Sequence, residues 1–446
     1  ITGNQGDGVS AVGAGTSVEI TDALITSMKL APDGDRGGGV IAATGASLSL
    51  KRSVVSENHS YAAYAYGVGT TLSIDQSWLH ATKLNGDGAS GVGLLATQGS
   101  SVSLAQTHLS ENHSMGLYIA GSQTQVNATE VAVVRSLPTP EGYAGSGAQV
   151  SGGASLTMIR SRIADNHDAG ILIAGGGSQL TLEDSEVSGV TEAHPVSIAA
   201  GLSLLEGATA SIHRVRLAGN FSGLVVGDDD SQVTATDLWI TGAESTPSTH
   251  GGYGVLARFG ASLTLSRTRI EESALAGLRV FGEGTDVTTT ELYVTGRKSP
   301  GVHGGGPGLS AVAGGSLSVS RSFVADNYAA GIVSLNPGSS VVVEEVFVSG
   351  TNPNADEMFG YGFDVGQEAS LSLRRVVARE NRVLGLLAMG SGTTVEAEEV
   401  WLVGTQPGSD GGAGYGLLAR DGASVSLSRS ALSDNRIAGL RAFGLG

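Results

Sequence analysis

The chain has 446 residues, 25 Lys+Arg against 42 Asp+Glu for a formal charge of −17, and no cysteine. That charge repels nucleic acid phosphates and anionic lipid surfaces, the missing thiols exclude disulfides and thiolate metal sites, and no stretch approaches the roughly 20 apolar residues of a membrane span. Gly, at 69 residues, is about twice its usual share of ~7%, so frequent turns with positive φ are expected.

Read from the N-terminus, the chain repeats itself. Asn4 lies in "GNQGDG", Asn58 in "VSENHSYAAYAYG", Asn112 in "LSENHSMGLYIAG" and Asn166 in "IADNHDAGILIAG". Asn220, Ser273, Asn327, Asn381 and Asn435 continue the series, every step 54 residues except one of 53. The run Glu111, Asn112, His113, Ser114 has the look of an active-site corner, but a catalytic group rarely comes in copies, and it reads as architecture. A period that never stops predicts one continuous body over 1–446, cut in mid-repeat at both ends. The terminal pieces "ITGNQGDGVSAVG" and "LSDNRIAGLRAFGLG" are ordinary repeat, so further coils or other chains are expected beyond them.

Each repeat holds two coils. Aligning the inward aliphatics gives Val18, Leu48, Leu72, Val102, Val126, Leu156, Leu180, Ala210, Val233, Leu263, Val287, Leu317, Val341, Leu371, Val395 and Val425, with steps alternating 30 and 24 and a single 23. Strict alternation over short runs rich in Val, Leu, Ser and Thr indicates strands. Coils stacked about 4.8 Å apart would give a rod on the order of 75–80 Å. The longer coils insert corner segments such as "RSLPTPEGYAGSG" and "GRKSPGVHGGGPG", expected to line up along one edge.

This pattern resembles the right-handed parallel β-helix proteins of the pectin-lyase-like superfamily over essentially the whole chain. The resemblance implies an all-β fold, a solenoid of about sixteen coils in a 54-residue two-coil repeat. Left-handed β-helices carry a hexapeptide pattern that the alternating coil lengths do not show.

Four residues after each inward aliphatic the charge alternates: Asp22, Arg52, Gln76, Gln106, Glu130, Arg160, Asp184, Arg214, Asp237, Arg267, Glu291, Arg321, Glu345, Arg375, Glu399 and Arg429. In stacked strands unlike neighbours attract and like neighbours repel, so the ladder is expected to fix register. A catalytic use of these carboxylates, as in glycosidases, is disfavoured by the Arg beside nearly every one. The Asn ladder stands two coils apart, too far for direct contact, and is expected to bond its local backbone or adopt the left-handed conformation. His59, His113 and His167 share that spacing, too wide for a common metal ion.

Two residues beyond the charge ladder comes a stripe turned outward by alternation, with Trp78, Trp239, Tyr293, Phe347 and Trp401 from long coils and Phe323 from a short one. Rings in a row can stack on sugars or anchor a protein; alternatively they pack under the corner loops. Asp228, Asp229 and Asp230 in "GDDDSQ" are the one candidate for binding Ca²⁺ through carboxylate oxygens, against a solvated turn. The relatives cut acidic polysaccharides, yet of the polygalacturonase tracts only the Asp-Asp pair is present, and units so alike offer no singular cleft. The reading is a noncatalytic extracellular or cell-surface solenoid: stalk, spacer or filament body, needing no cofactor. Its expected partners are neighbouring repeats, its own copies, polysaccharide or a surface protein, with no nucleic acid and no membrane insertion. The alternative is a polysaccharide lyase or hydrolase.

Overall fold

A computed structural model describes the chain except residues 33, 35–36, 143, 192–198, 245–250, 297–305, 354–358, 409–410 and 445–446. The described residues form two compact units, Ile1–Phe221 and Ser222–Gly446. The short step of the repeat, between Asn220 and Gly223, falls at that boundary.

In the first unit the coils contribute three strands each, for example Val40–Ala43, Ser47–Lys51 and Val54–Ser56, except the last, whose second and third run together as Thr209–Ala218. The first joins one parallel sheet, running through Val9–Val12, Val40–Ala43, Ser60–Tyr66 and Gly91–Thr97 and onward to Ala200–Leu205. The other two lie in a second parallel sheet. There the register sets Val18 beside Leu48, then Leu72, Val102, Val126, Leu156, Leu180 and Ala210. Period-2 alternation sends these inward, and Leu48 through Ala210 are buried, so each coil stacks its aliphatics on those of the next.

The second unit repeats the plan. Its first sheet runs from Leu224–Gly227 through Tyr253–Arg258, Ala276–Phe281, Leu309–Val312, Ala330–Leu335 and Tyr361–Gly366 to Ala438–Phe443. In its second sheet Val233, Leu263, Val287, Leu317, Val341, Leu371, Val395 and Val425 are successive partners.

Positive φ explains only some of the glycines. Gly45 and Gly69 have φ of 85° and 76° in turns, where a Cβ would be strained. Gly93 and Gly147, just inside strands of the first sheet, have no such conformation. A Cβ on Gly147 would lie 2.6 Å from both the Gly170 carbonyl oxygen and Ile163 Cγ2, and 2.9 Å from Asn166 Nδ2. These positions are glycine because the next coil's backbone and the Asn ladder crowd against them.

Candidate functional site

The charge ladder occupies a bend in the second sheet, between two short strands or, at Arg214, Asp237, Arg375 and Glu399, within one long strand, and its sixteen members all have φ between 46° and 57°. Each Arg turns to the acid 30 residues before it. Arg52 holds Asp22 through two 2.8 Å hydrogen bonds. Arg160 reaches Glu130 at 3.2 Å, Arg267 reaches Asp237 at 2.7 Å, Arg321 reaches Glu291 at 3.7 Å, Arg375 reaches Glu345 at 2.9 Å and Arg429 reaches Glu399 at 3.3 Å. Arg214 clasps Asp184 with two nitrogens. Where both charges are missing, Gln76 donates to Gln106 at 3.0 Å, and Gln106 donates on to Glu130 at 3.0 Å. The ladder is thus a set of pairs rather than an evenly shared chain.

Hydrogen bonds from Arg52 and Arg214 hold the Asp22 and Asp184 carboxyls below their ordinary range; bonds from Gln106 and then Arg160 do so for Glu130. A carboxylate stabilised in this way is a poor general acid at neutral pH.

The asparagines do not sit as expected. Asn58, Asn112, Asn166, Asn220 and Asn381 are buried and none has positive φ; that conformation belongs to the residue before, Glu57, Glu111, Asp165 and Glu380 among them. Their amides bond the preceding coil instead of their own turn. Asn112 Oδ1 accepts from Thr82 N–H at 3.1 Å and from Thr82 Oγ1 at 2.7 Å, while its Nδ2 donates to the Leu79 carbonyl at 3.2 Å. Asn58 does the same with Met28 and Ile25, Asn166 with Ser136 and Val133, Asn220 with Val190 and Val187, and Asn435 with Thr405 and Leu402. Asn381 accepts from Thr351 N–H, though its Nδ2 has no partner. Asn327 alone makes the local bond, to the Ala325 carbonyl at 2.9 Å. Asn4 is exposed.

Around the asparagines the other members of the opening motif have equally structural partners. Glu57 pairs with Lys83 at 3.2 Å and Glu111 with Arg135 at 2.8 Å. His59 Nδ1 lies 2.8 Å from the Leu84 carbonyl and His167 Nδ1 3.0 Å from Thr191 Oγ1.

The outward stripe forms a continuous column in the second unit. Trp239, Arg269, Tyr293, Phe323, Phe347, Val377 and Trp401 are register neighbours in turn. Tyr293 and Phe323 stack at 5.2 Å and 7°, and Phe323 and Phe347 at 5.2 Å and 4°. The Arg269 guanidinium lies 5.1 Å from the Tyr293 ring centre and Arg379 5.2 Å from that of Phe347. Ring faces in the middle of the column are therefore taken by one another. Trp239, Trp401 and, in the first unit, Trp78 stay 40–42% exposed. Trp78 is tilted against His80 at 4.5 Å.

Asp228 and Asp230 have φ of 71° and 65° in their turn, and Asp229 and Asp230 are exposed. Among the described residues no group of three or more His, Asp or Glu side chains is gathered so as to hold a metal ion. The corner segments 27–39, 135–147, 242–254, 296–308, 350–362 and 404–416 all lie partly outside the described residues.

The first sheet of the second unit carries a groove of about 450 Å³ whose floor includes Arg279, Ser310, Val333 and Asp364. A charged residue in the apolar strand "YGFDVG" was its visible sign in the sequence.

Residues 91–246 match the family model described as a right handed beta helix region, in keeping with the all-β, parallel coil architecture described above. No curated protein matches it. Among solved structures it is similar to a pectate lyase (15% identity, 60% of this chain and 71% of that one, TM-score 0.36). It is also similar to the periplasmic alginate epimerase AlgG (11%, 88% and 76%, 0.36) and to PfbA, a surface adhesin of Streptococcus pneumoniae (11%, 89% and 83%, 0.32). At these values the likeness concerns the coil architecture alone.

Proposed function

We propose that the chain is a noncatalytic structural or adhesive section of an extracellular β-solenoid, a stalk, spacer or filament body that meets carbohydrate or a surface protein along the aromatic stripe. One observation carries this reading: the polar groups the repeat reproduces most faithfully are spent on the neighbouring coil. Ladder acids face Arg, and ladder amides face backbone. That is the chemistry of holding coils in register. The stripe adds outward apolar surface, and its exposed end at Trp401 leaves indole available for stacking.

Two measurements test the proposal. Incubated with pectin, polygalacturonate or alginate, with and without Ca²⁺, the protein should release neither unsaturated nor reducing ends; release would establish the lyase or hydrolase alternative. Retention on immobilised polysaccharide or on cell-surface protein should fall in Trp239→Ala and Trp401→Ala variants. Unchanged retention in both would remove the stripe from the adhesive role.

A further inference from the structure

The groove of the second unit lies on the first sheet, whereas both ladder and stripe belong to the second. Arg279, Ser310, Val333 and Asp364 are consecutive partners in register, one from each of four coils. Leu275, Pro307 and Phe359 line it as well. The surface between its two charges is therefore mostly apolar.

Three polar groups on the floor have few partners among the described residues. Ser310 is 4% exposed, and its hydroxyl makes no hydrogen bond among the described residues. Asp364 has neither a hydrogen bond nor an ion pair there, and burial pushes its carboxyl up to about 6 against the opposing pull of Arg420. Arg279 has no carboxylate within ion-pair reach among the described residues; its one hydrogen bond, to the Tyr253 hydroxyl, is a long 3.5 Å, and the guanidinium otherwise lies by the Tyr253 and Phe281 rings.

A cation and an acid that have no ion-pair partner among the described residues thus stand three coil steps apart, about 14 Å, at opposite ends of an apolar trough. A sugar chain fits this poorly, because its many hydroxyls would be desolvated against Leu275, Pro307, Val333 and Phe359 without partners. A plain hydrocarbon would leave both charges unanswered. We propose that the groove binds an extended amphipathic molecule with a carboxylate at one end of an apolar chain and an amine at the other, the carboxylate on Arg279 and the amine on Asp364. This goes beyond the structural and adhesive reading and does not depend on it.

The test is calorimetric titration of the full chain with ω-aminododecanoic acid, and with dodecanoic acid and dodecylamine as its two halves, each below its micelle concentration at neutral pH. The two-headed probe should bind tighter than either half by about tenfold or more. Arg279→Gln should weaken the two-headed probe and dodecanoic acid but not dodecylamine. Asp364→Asn should weaken the two-headed probe and dodecylamine but not dodecanoic acid. Trp401→Ala should change none of the three, which separates this groove from the stripe. Circular dichroism and melting of each variant control for folding, and Arg279→Lys, which keeps the charge, should retain part of the affinity. Absence of binding by all three probes, or binding that is the same in Arg279→Gln, Asp364→Asn and the native protein, would overturn the proposal.

Discussion

Replacing Asn112 tests the buried amide ladder at its best-bonded member. Asn112 is fully buried, as are Thr82 and Leu79, and it satisfies the Thr82 N–H, the Thr82 hydroxyl and the Leu79 carbonyl. Asn112→Leu keeps most of the volume, leaves little space for water and strands the Thr82 N–H and the Thr82 hydroxyl. Each stranded group costs about 1–3 kcal/mol, so the variant should lose about 2–6 kcal/mol. In a solenoid each coil contacts only its neighbours, so the loss is best read locally. Hydrogen exchange at the Thr82 amide should accelerate by roughly thirtyfold to ten-thousandfold, at 1.4 kcal/mol per tenfold. Asn327→Ala, which removes only a bond within its own corner, should cost about 1 kcal/mol. Unchanged exchange at Thr82, or equal losses for the two variants, would refute the claim that these amides tie coil to coil.

Ser273 stands where the ladder expects Asn, and its buried hydroxyl has no partner. Ser273→Asn should reach the Ala243 N–H and the Ile240 carbonyl, 30 and 33 residues back as elsewhere in the ladder, and raise the melting temperature by about 2–4 °C for a gain near 1 kcal/mol. Glu345→Arg should melt below Glu345→Gln, because it sets a second cation against Arg375, and added salt should narrow the gap; identical melting of the two at low salt would count against the ladder. The Asp22, Glu130 and Asp184 carboxyls are held below their unfolded values, so their contribution is present at neutral pH and lost as pH falls below about 4. Asp364 runs the other way. Its folded value of about 6 exceeds the ordinary 3.8, so stability falls as pH rises between the two and the full penalty, about 2–3 kcal/mol, is present above 6. Asp364→Asn should therefore melt above the native protein at neutral pH and with it below about pH 4; a constant difference across that range would contradict the buried-acid reading.

Periodicity made the coil architecture legible. The inward aliphatics aligned by spacing alone are the residues that the two sheets set in register, because a period-2 pattern repeated every coil leaves one pairing that buries every apolar side chain. Backbone conformation was not legible in the same way. Nothing in the spelling of Arg52 or Glu130 announces a left-handed φ, since Gly, Asn and Asp are the usual occupants. For the same reason the Asn was assigned the turn that its predecessor makes. The crowding that requires Gly93 and Gly147 is likewise invisible in one dimension, as it involves atoms from the next coil. Asp364 was passed over because a single residue carries no periodic signal.

That last miss bears on where to look for activity in a repeat protein. A position reproduced in every coil is under the same physical demand in every coil, and the demand found at the ladders is contact with the coil before. The left-handed bend makes the point sharply: glycine would fit its φ with less strain than Arg, Asp or Glu, yet the chain keeps charged or amide side chains at all sixteen positions, so the side chains must answer a need that shape alone does not impose. The pairs between coils supply it. Asp364 answers no such need. The positions beside it in register are Val333 and Leu387, either of which would remove the cost of burying an acid, and no described hydrogen bond or ion pair offsets that cost. A residue that lowers the stability of its own coil at neutral pH, at the end of a groove and opposite a guanidinium with no carboxylate partner among the described residues, is where selection for something other than the fold should be sought.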